Sequence, residues 1–270
     1  MLDISRLTWA SPPSTPQRNM RAIPKTKVEE LIHILEPYMD SITQLDSFTL
    51  KKYKKEATVN LGTYPWAGHL ALGMIAVLEW DQVALDQAYS NALHYCNDGF
   101  TRAHYGNALV LVGRYDDALR ELLIAVDKAP EDLSYLRQAI DAAKLAGKFR
   151  TAERLQTMFT QRAPGQSHGL RETMRQVAEV LDINGISESV VGKCNAIAFE
   201  VLRRNQIRFL QTRFEADTQD NYVMFYIYVA ADDDTVERLD DELGVELFDK
   251  VPDFHPDKYW VGYSSAKSIS

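Results

Sequence analysis

Only two cysteines, Cys96 and Cys194, occur in the 270 residues. A disulfide framework is thereby excluded, and the expectation is free, buried thiols in a reducing compartment. No Cys-x-x-Cys, no His-Glu-x-x-His and no Cys/His cluster of zinc spacing is present. His94 and Cys96 would stand about 200° apart on a helix, too far round to share a metal. The 13 glycines are scattered, with no Gly-x-Gly-x-x-Gly, no Walker loop and no Gly-x-Ser-x-Gly elbow. Long apolar runs are lacking too: none approaches the ~18–20 residues that cross a bilayer. The first residues lack the charged-then-apolar order of a secretion signal. Positive charge is in deficit, with a net charge of −8 and a pI near 5.3, which disfavours nucleic acid as a partner. These absences predict a cytoplasmic protein with no membrane span, no metal and no cofactor. No nucleophile, base and oxyanion donor can be assembled from the residue order, so no catalytic residue is assigned and the chain is read as a non-enzyme.

The charge that is present is uneven. Between Ile207 and Asp257 fourteen acids face four bases, so the rest of the chain is slightly positive. Asp232-Asp233-Asp234 and the acids after them read as a helix cap and a solvated helix face, attractive to a basic partner. Residues 1–25 are rich in Pro, Ser, Thr and Arg, as in Ser11-Pro12-Pro13-Ser14-Thr15-Pro16, and read as a flexible arm. Its alternative use is docking through Leu7, Trp9 and Met20. From Lys27 an apolar stripe of Val28, Leu31, Ile32, Leu35 and Met39 predicts a helix that Pro37 interrupts. A second helix is expected from about 42 to 55, ending on Lys51-Lys52-Tyr53-Lys54-Lys55, where cations complement the helix dipole or form an anion patch.

The most informative stretch runs from Tyr105 to Pro130. Gly106 sits where a helix neighbour would leave no room for a side chain, and Gly113 closes that helix in the left-handed conformation. Tyr115 follows as a wedge, Ala118 and Ala125 share one face, and Pro130 ends the pattern. Gly113, Tyr115, Ala118 and Pro130 recur 34 residues later as Gly147, Phe149, Ala152 and Pro164. An irregular earlier copy places Leu72-Gly73 and Ala92 33 residues before Tyr105-Gly106 and Ala125, with Trp80 near the Gly113 position.

This spacing resembles the tetratricopeptide repeat, over residues about 66–164. Arg102 and Leu109 stand where that family usually has aromatics. The resemblance implies three stacked helix pairs, about 66–96, 101–129 and 132–162, capped by the preceding helices. It further implies capture of a protein or peptide in a concave groove lined by the first helices, through Met74, Phe100, Ala103, Asn107, Arg137, Asp141 and Lys144. Some family members hold a C-terminal carboxylate with Lys and Asn. Asn107 occupies one such position, but Ala103 stands where Lys is expected, and Arg137 and Lys144 could replace part of that charge.

After a linker at Gly165–Gly169 two more helices are expected, with Asn184-Gly185 between them, Ser187 as an N-cap and Val190, Cys194, Ile197 and Val201 inward. The period then changes. Residues 207–214 and 222–230 read as strands, a helix runs from Asp232 or Asp233 to about Leu243, and Tyr259–Tyr263 supplies a last strand, with Ser264-Ser265 in a tail. The expected architecture is mainly α with a C-terminal α+β part: a flexible arm (1–25), a helical-repeat solenoid (26–164) and a small sheet packed with helices (165–270). In the second strand Val223, Phe225, Ile227 and Val229 form one face and Tyr222, Met224, Tyr226 and Tyr228 the other. Such tyrosines suit packing against the solenoid or a second subunit, a homo-oligomer being left open, or stacking of a ligand. The leading expectation is an adaptor or regulatory interaction protein. Its alternative is a regulatory protein whose C-terminal sheet, at Tyr222, Tyr226 and Tyr228, binds a nucleic acid or small ligand with the repeats as scaffold.

Overall fold

A computed structural model of the chain describes residues 2–3, 27–39, 45–165 and 171–265. The chain is mainly helical, with an α+β C-terminal part. Ten helices come first: α1 (Lys27–Met39), α2 (Ser47–Asn60), α3 (Pro65–Leu78), α4 (Gln82–Tyr95), α5 (Gly99–Leu111), α6 (Tyr115–Lys128), α7 (Leu133–Leu145), α8 (Phe149–Arg162), α9 (Arg171–Ile183) and α10 (Glu188–Arg204). Strands β2 (Phe209–Asp217) and β3 (Tyr222–Val229), helix α11 (Asp233–Lys250) and strand β4 (Tyr259–Ser265) follow. The two-residue strand β1 (Leu2–Asp3) lies antiparallel to β2 at Thr212 and Gln211. The sheet order is β1-β2-β3-β4, with β2–β3 antiparallel and β3–β4 parallel through the α11 crossover.

Helices α3 to α8 form three consecutive packed pairs. Within each pair the turn has the same chemistry. Trp80, Gly113 and Gly147 adopt φ of 58°, 77° and 69°. The amide after each bonds five residues back, Asp81 to Ala76, Arg114 to Leu109 and Lys148 to Ala143, which satisfies carbonyls the helix would leave open. Trp80 thus fills the glycine's conformational role despite its side chain. Within pairs, Gly106 of α5 meets α6 so closely that a Cβ would lie 2.6 Å from Leu122, and Gly73 of α3 meets Tyr89 of α4 at 2.5 Å. Tyr89 stacks on Tyr105, 4.9 Å between centroids, joining α4 to α5.

Helix α10 runs across the repeats, along the row of intra-pair turns. Gly192 touches the Gly147 turn, where a Cβ on Gly147 would come within 2.7 Å of its backbone nitrogen. Seven residues on, Phe199 covers the Gly113 turn and packs edge-on to Tyr115 at 4.5 Å. Arg208, just past the helix, reaches the Trp80 turn, 5.8 Å from that ring, and donates to the Tyr38 carbonyl at 2.8 Å. Seven helical residues rise about 10.5 Å, which matches the ~10 Å between packed helices, so one straight helix can address successive pairs. The sheet lies on α10 through the Phe225 face: Phe225 and Phe214 stack at 4.1 Å, and Phe214 meets Phe149 of α8 at 5.2 Å. One hydrophobic core therefore runs from α1 to β4.

Several boundaries differ from expectation. Helix α1 continues through Pro37 to Met39, since a proline in the last turn forfeits only one bond before the helix stops. Helix α2 begins five residues later than expected, because Asp46 caps it by accepting from the amides of Phe48 and Thr49 at 2.9 Å. It also runs on to Asn60, past the expected end at Lys55, so its lysines lie mid-helix, not at the C-terminus. Helix α11 runs on to Lys250, carried by the Leu239, Leu243 and Leu247 stripe. Ser264 and Ser265 belong to β4, not to a tail. Val190 is half-buried and Val191 takes the inward place. The arm anchors Leu7, Trp9 and Met20 and the linker 166–170 lie outside the described residues.

Candidate functional site

The residues singled out for partner binding fall on the first helices of the three pairs. Met74 is on α3, Phe100, Ala103 and Asn107 are a stripe on α5, and Arg137, Asp141 and Lys144 are a stripe on α7. The structure buries most of them. Met74, Ala103 and Asn107 are wholly inaccessible, and Phe100 and Lys144 nearly so. Arg137 is exposed and lies over the Phe159 ring at 5.0 Å. Asp141 is half-buried and accepts from Lys144 Nζ at 2.6 Å. Asp141 and Lys144 are thus brought together as an ion pair, and Arg137 is carried one turn away on the same stripe.

Around Phe100 the α5 face is aromatic and polar at once. Trp66 Nε1 donates to Thr101 Oγ1 at 2.8 Å, and its ring stands 6.0 Å from Phe100. Phe100 in turn packs on His104 at 4.5 Å. His104 is fully buried, and desolvation lowers its pKa to about 3, so it is neutral at physiological pH. One turn on, Asn107 is buried with neither amide atom hydrogen-bonded. An amide left in this way costs about 1–3 kcal/mol relative to a satisfied one.

The tyrosine face of β3 lies opposite the Phe225 face. The expectation that it packs on the repeats is therefore corrected: alternation along the strand sends Phe225 to Phe199 of α10, with Ile227 buried on the same face, and the tyrosines away. Tyr222 and Tyr226 are half-buried, and Tyr228 is almost covered. Tyr226 stands 5.1 Å from Trp260 of β4 and 6.4 Å from Tyr228, with its hydroxyl on Met224 Sδ at 2.9 Å. Burial raises the Tyr226 pKa. Arg213, paired across the ladder with Tyr226, is bound to Glu215, so the cation beside the ring is neutralised.

Three further features escaped the sequence reading. Asn195, fully buried, donates to the Leu145 carbonyl at 3.0 Å and accepts from Tyr259 Oη at 2.5 Å, tying α7, α10 and β4 together. A cleft of about 250 Å³ between the Gly113 turn and α10 is lined by Arg114, Asp116, Asp117, Glu200 and Arg203. Arg114 there is committed to Asp86 and Asp117 at 2.7 Å. Asp240 accepts from the Tyr263 amide at 2.8 Å, and burial raises its pKa. This contact fixes α11 on the free edge of β4. Periods and caps were visible in the sequence, and none of these contacts follows from either.

Among the described residues no group of three or more His, Cys, Asp or Glu is placed to hold a metal, and no helix is long and apolar enough to cross a membrane. Both cysteines are free, and burial pushes the Cys194 thiol up to about 12, which leaves it protonated and unreactive. Architecture and contacts define a series of consecutive packed helix pairs, consistent with a helical repeat, with an α+β part lying along their turns. No protein-family model matches the chain, and neither a curated protein nor a solved structure does.

Proposed function

We propose that this is a non-catalytic interaction protein whose helical repeats, resembling tetratricopeptide repeats, hold an extended segment of a protein partner against α5 and α7, with the acidic C-terminal domain as the rigid back wall. The observation that supports it best is Asn107. A buried side-chain amide with no partner on the central helix can donate to and accept from the backbone of an extended peptide, and would recover its lost hydrogen bonds on doing so. Arg137, exposed on α7, supplies an orienting charge at the rim, and Phe100 the apolar contact. Because Asn107, Phe100 and Met74 are covered, the α5 face must open before a peptide reaches them, and the ordering cost of that opening limits affinity.

The test is a tiled peptide array probed with the purified chain. Asn107→Ala should reduce capture of the bound peptides by about tenfold or more without lowering thermal stability, since it deletes an unsatisfied group. Arg137→Ala should weaken the same peptides. Equal capture by the wild-type chain and both variants would remove α5 and α7 as the site.

A second reading places a flat ligand or single-stranded nucleic acid on the Tyr222, Tyr226 and Tyr228 face. The tilted Tyr226–Trp260 pair favours stacking, while the neutralised Arg213 and the acids around it oppose a phosphate backbone. Titration of oligonucleotides at low salt against the intrinsic fluorescence decides it: an unchanged signal eliminates nucleic acid there.

A further inference from the structure

Two helices present large apolar side chains to solvent along a stripe whose charge is basic on one helix and mainly acidic on the other. Of the fourteen residues of α2, Ala57 alone is buried. Phe48 and Val59 are 78% and 71% exposed, and exposed Lys51, Lys52 and Lys55 lie between them on the same face. These lysines sit mid-helix, so the helix dipole gives them no role. On α11, Val245 and Phe248 are 63% and 84% exposed, exposed Glu237 and Asp241 continue their stripe toward the N-terminus, and Arg238 beside them is drawn to Asn205 Oδ1 at 3.0 Å and toward Glu242. Like charges four apart repel. Neither helix relieves the other within one copy: α2 packs on α1 and α3, and α11 on α10 and β4.

We propose that the chain self-associates head to tail, with α2 of one copy lying antiparallel on α11 of another. The spacings agree. Phe48 to Lys55 and Phe248 to Asp241 are both seven residues, about 10.5 Å along a helix. With Phe48 seated on Val245 and Phe248, Lys55 meets Asp241, Lys51 and Lys52 reach the same carboxylate, and Val59 lies level with Glu237 beyond the charged contact. A second copy is the occupant because one chain carries both halves of the complementary pair: the Phe48 end and lysines of α2, and the Val245–Phe248 end and carboxylates of α11. The contact joins unlike surfaces head to tail, so it closes as a ring or extends as a chain.

Light scattering coupled to gel filtration, from about 1 to about 100 µM, brackets a weak interface of this kind. Mass should rise with concentration at low salt and fall back at high salt. The triple reversal Lys51→Glu, Lys52→Glu, Lys55→Glu and the double reversal Glu237→Lys, Asp241→Lys should each weaken association by about tenfold or more. Mixing the two reversed chains should restore it, since the acidic α2 of one now faces the basic α11 of the other. Phe48→Asp should abolish it in the wild-type background. All these positions are exposed, and unchanged circular dichroism verifies folding. A monomer at every concentration, an association indifferent to both reversals, or a mixture that fails to reassociate would each overturn the proposal.

Discussion

His104 is fully buried on α5 against Phe100, and its pKa is held down to about 3. The neutral form is the folded form. The stability it contributes is complete above the unfolded value of about 6.5 and is lost as pH falls from there toward 3. By pH 5 the loss attributable to this one ring is about 2 kcal/mol, visible as a lower midpoint in urea titrations, and His104→Phe should flatten that acid limb. Two buried asparagines predict opposite signs. Asn195→Ala strands the Leu145 carbonyl and the Tyr259 hydroxyl, and should cost about 2–4 kcal/mol of unfolding free energy. Asn107→Ala strands nothing and should leave the same measurement unchanged or slightly raised. Gly147→Ala combines a left-handed φ of 69° with a 2.7 Å approach to the Gly192 backbone, and no flexible side chain is there to give way. It should destabilise by at least about 1–3 kcal/mol.

At the scale of elements, α10 decides how the two parts of the chain are joined. Phe199 is its hub, with Tyr115, Phe209 and Phe225 at 4.5, 5.2 and 6.2 Å. Phe199→Ala removes contacts to the repeats and to the sheet together and should cost about 3–5 kcal/mol. Protease susceptibility should rise in the sheet and in α5–α6 at once. The pairs α5–α6 and α7–α8 were legible in the sequence because each first helix ends on a glycine, Gly113 or Gly147, at a spacing of 34, and α3–α4 because Gly73 and Ala92 stand 33 residues before Gly106 and Ala125, while the positive φ of Trp80 had no signal. The direction of α10 was not legible. Its apolar positions are those of any buried helix, and Gly192 announces nothing until Ala146 is seen 2.8 Å from where its Cβ would stand. The late start of α2 had a visible signal in Asp46, an N-cap residue at the right place that the apolar pattern did not demand.

For the whole molecule, a single core reaching from α1 to β4 implies a single unfolding unit. Trp66 and Trp80 report on the repeats and Trp260 on the sheet. Their fluorescence and the helical circular dichroism should therefore trace one coincident transition in denaturant, and two separated midpoints would show that the α10 seam is weaker than its packing implies. A fragment ending at residue 165 would expose the Gly113 and Gly147 turns, Tyr115 and Phe149, and should be soluble only poorly, which expression and light scattering of the fragment would reveal.

Local rules determined much of this protein from the sequence alone. Helical period, left-handed caps at Gly113 and Gly147, the Asp232 and Ser187 caps and the alternation of β3 are properties of a few neighbouring residues, and they place the elements without knowledge of the fold. They also put Met74, Phe100, Asn107, Arg137, Asp141 and Lys144 on three consecutive first helices. What covers those residues was settled only by the tertiary structure. Whether Asn107 faces solvent or sits buried and unsatisfied depends on residues distant in the chain, as does the choice of which β3 face meets α10. Periodicity says that a side chain has a side, and only packing says what lies on it.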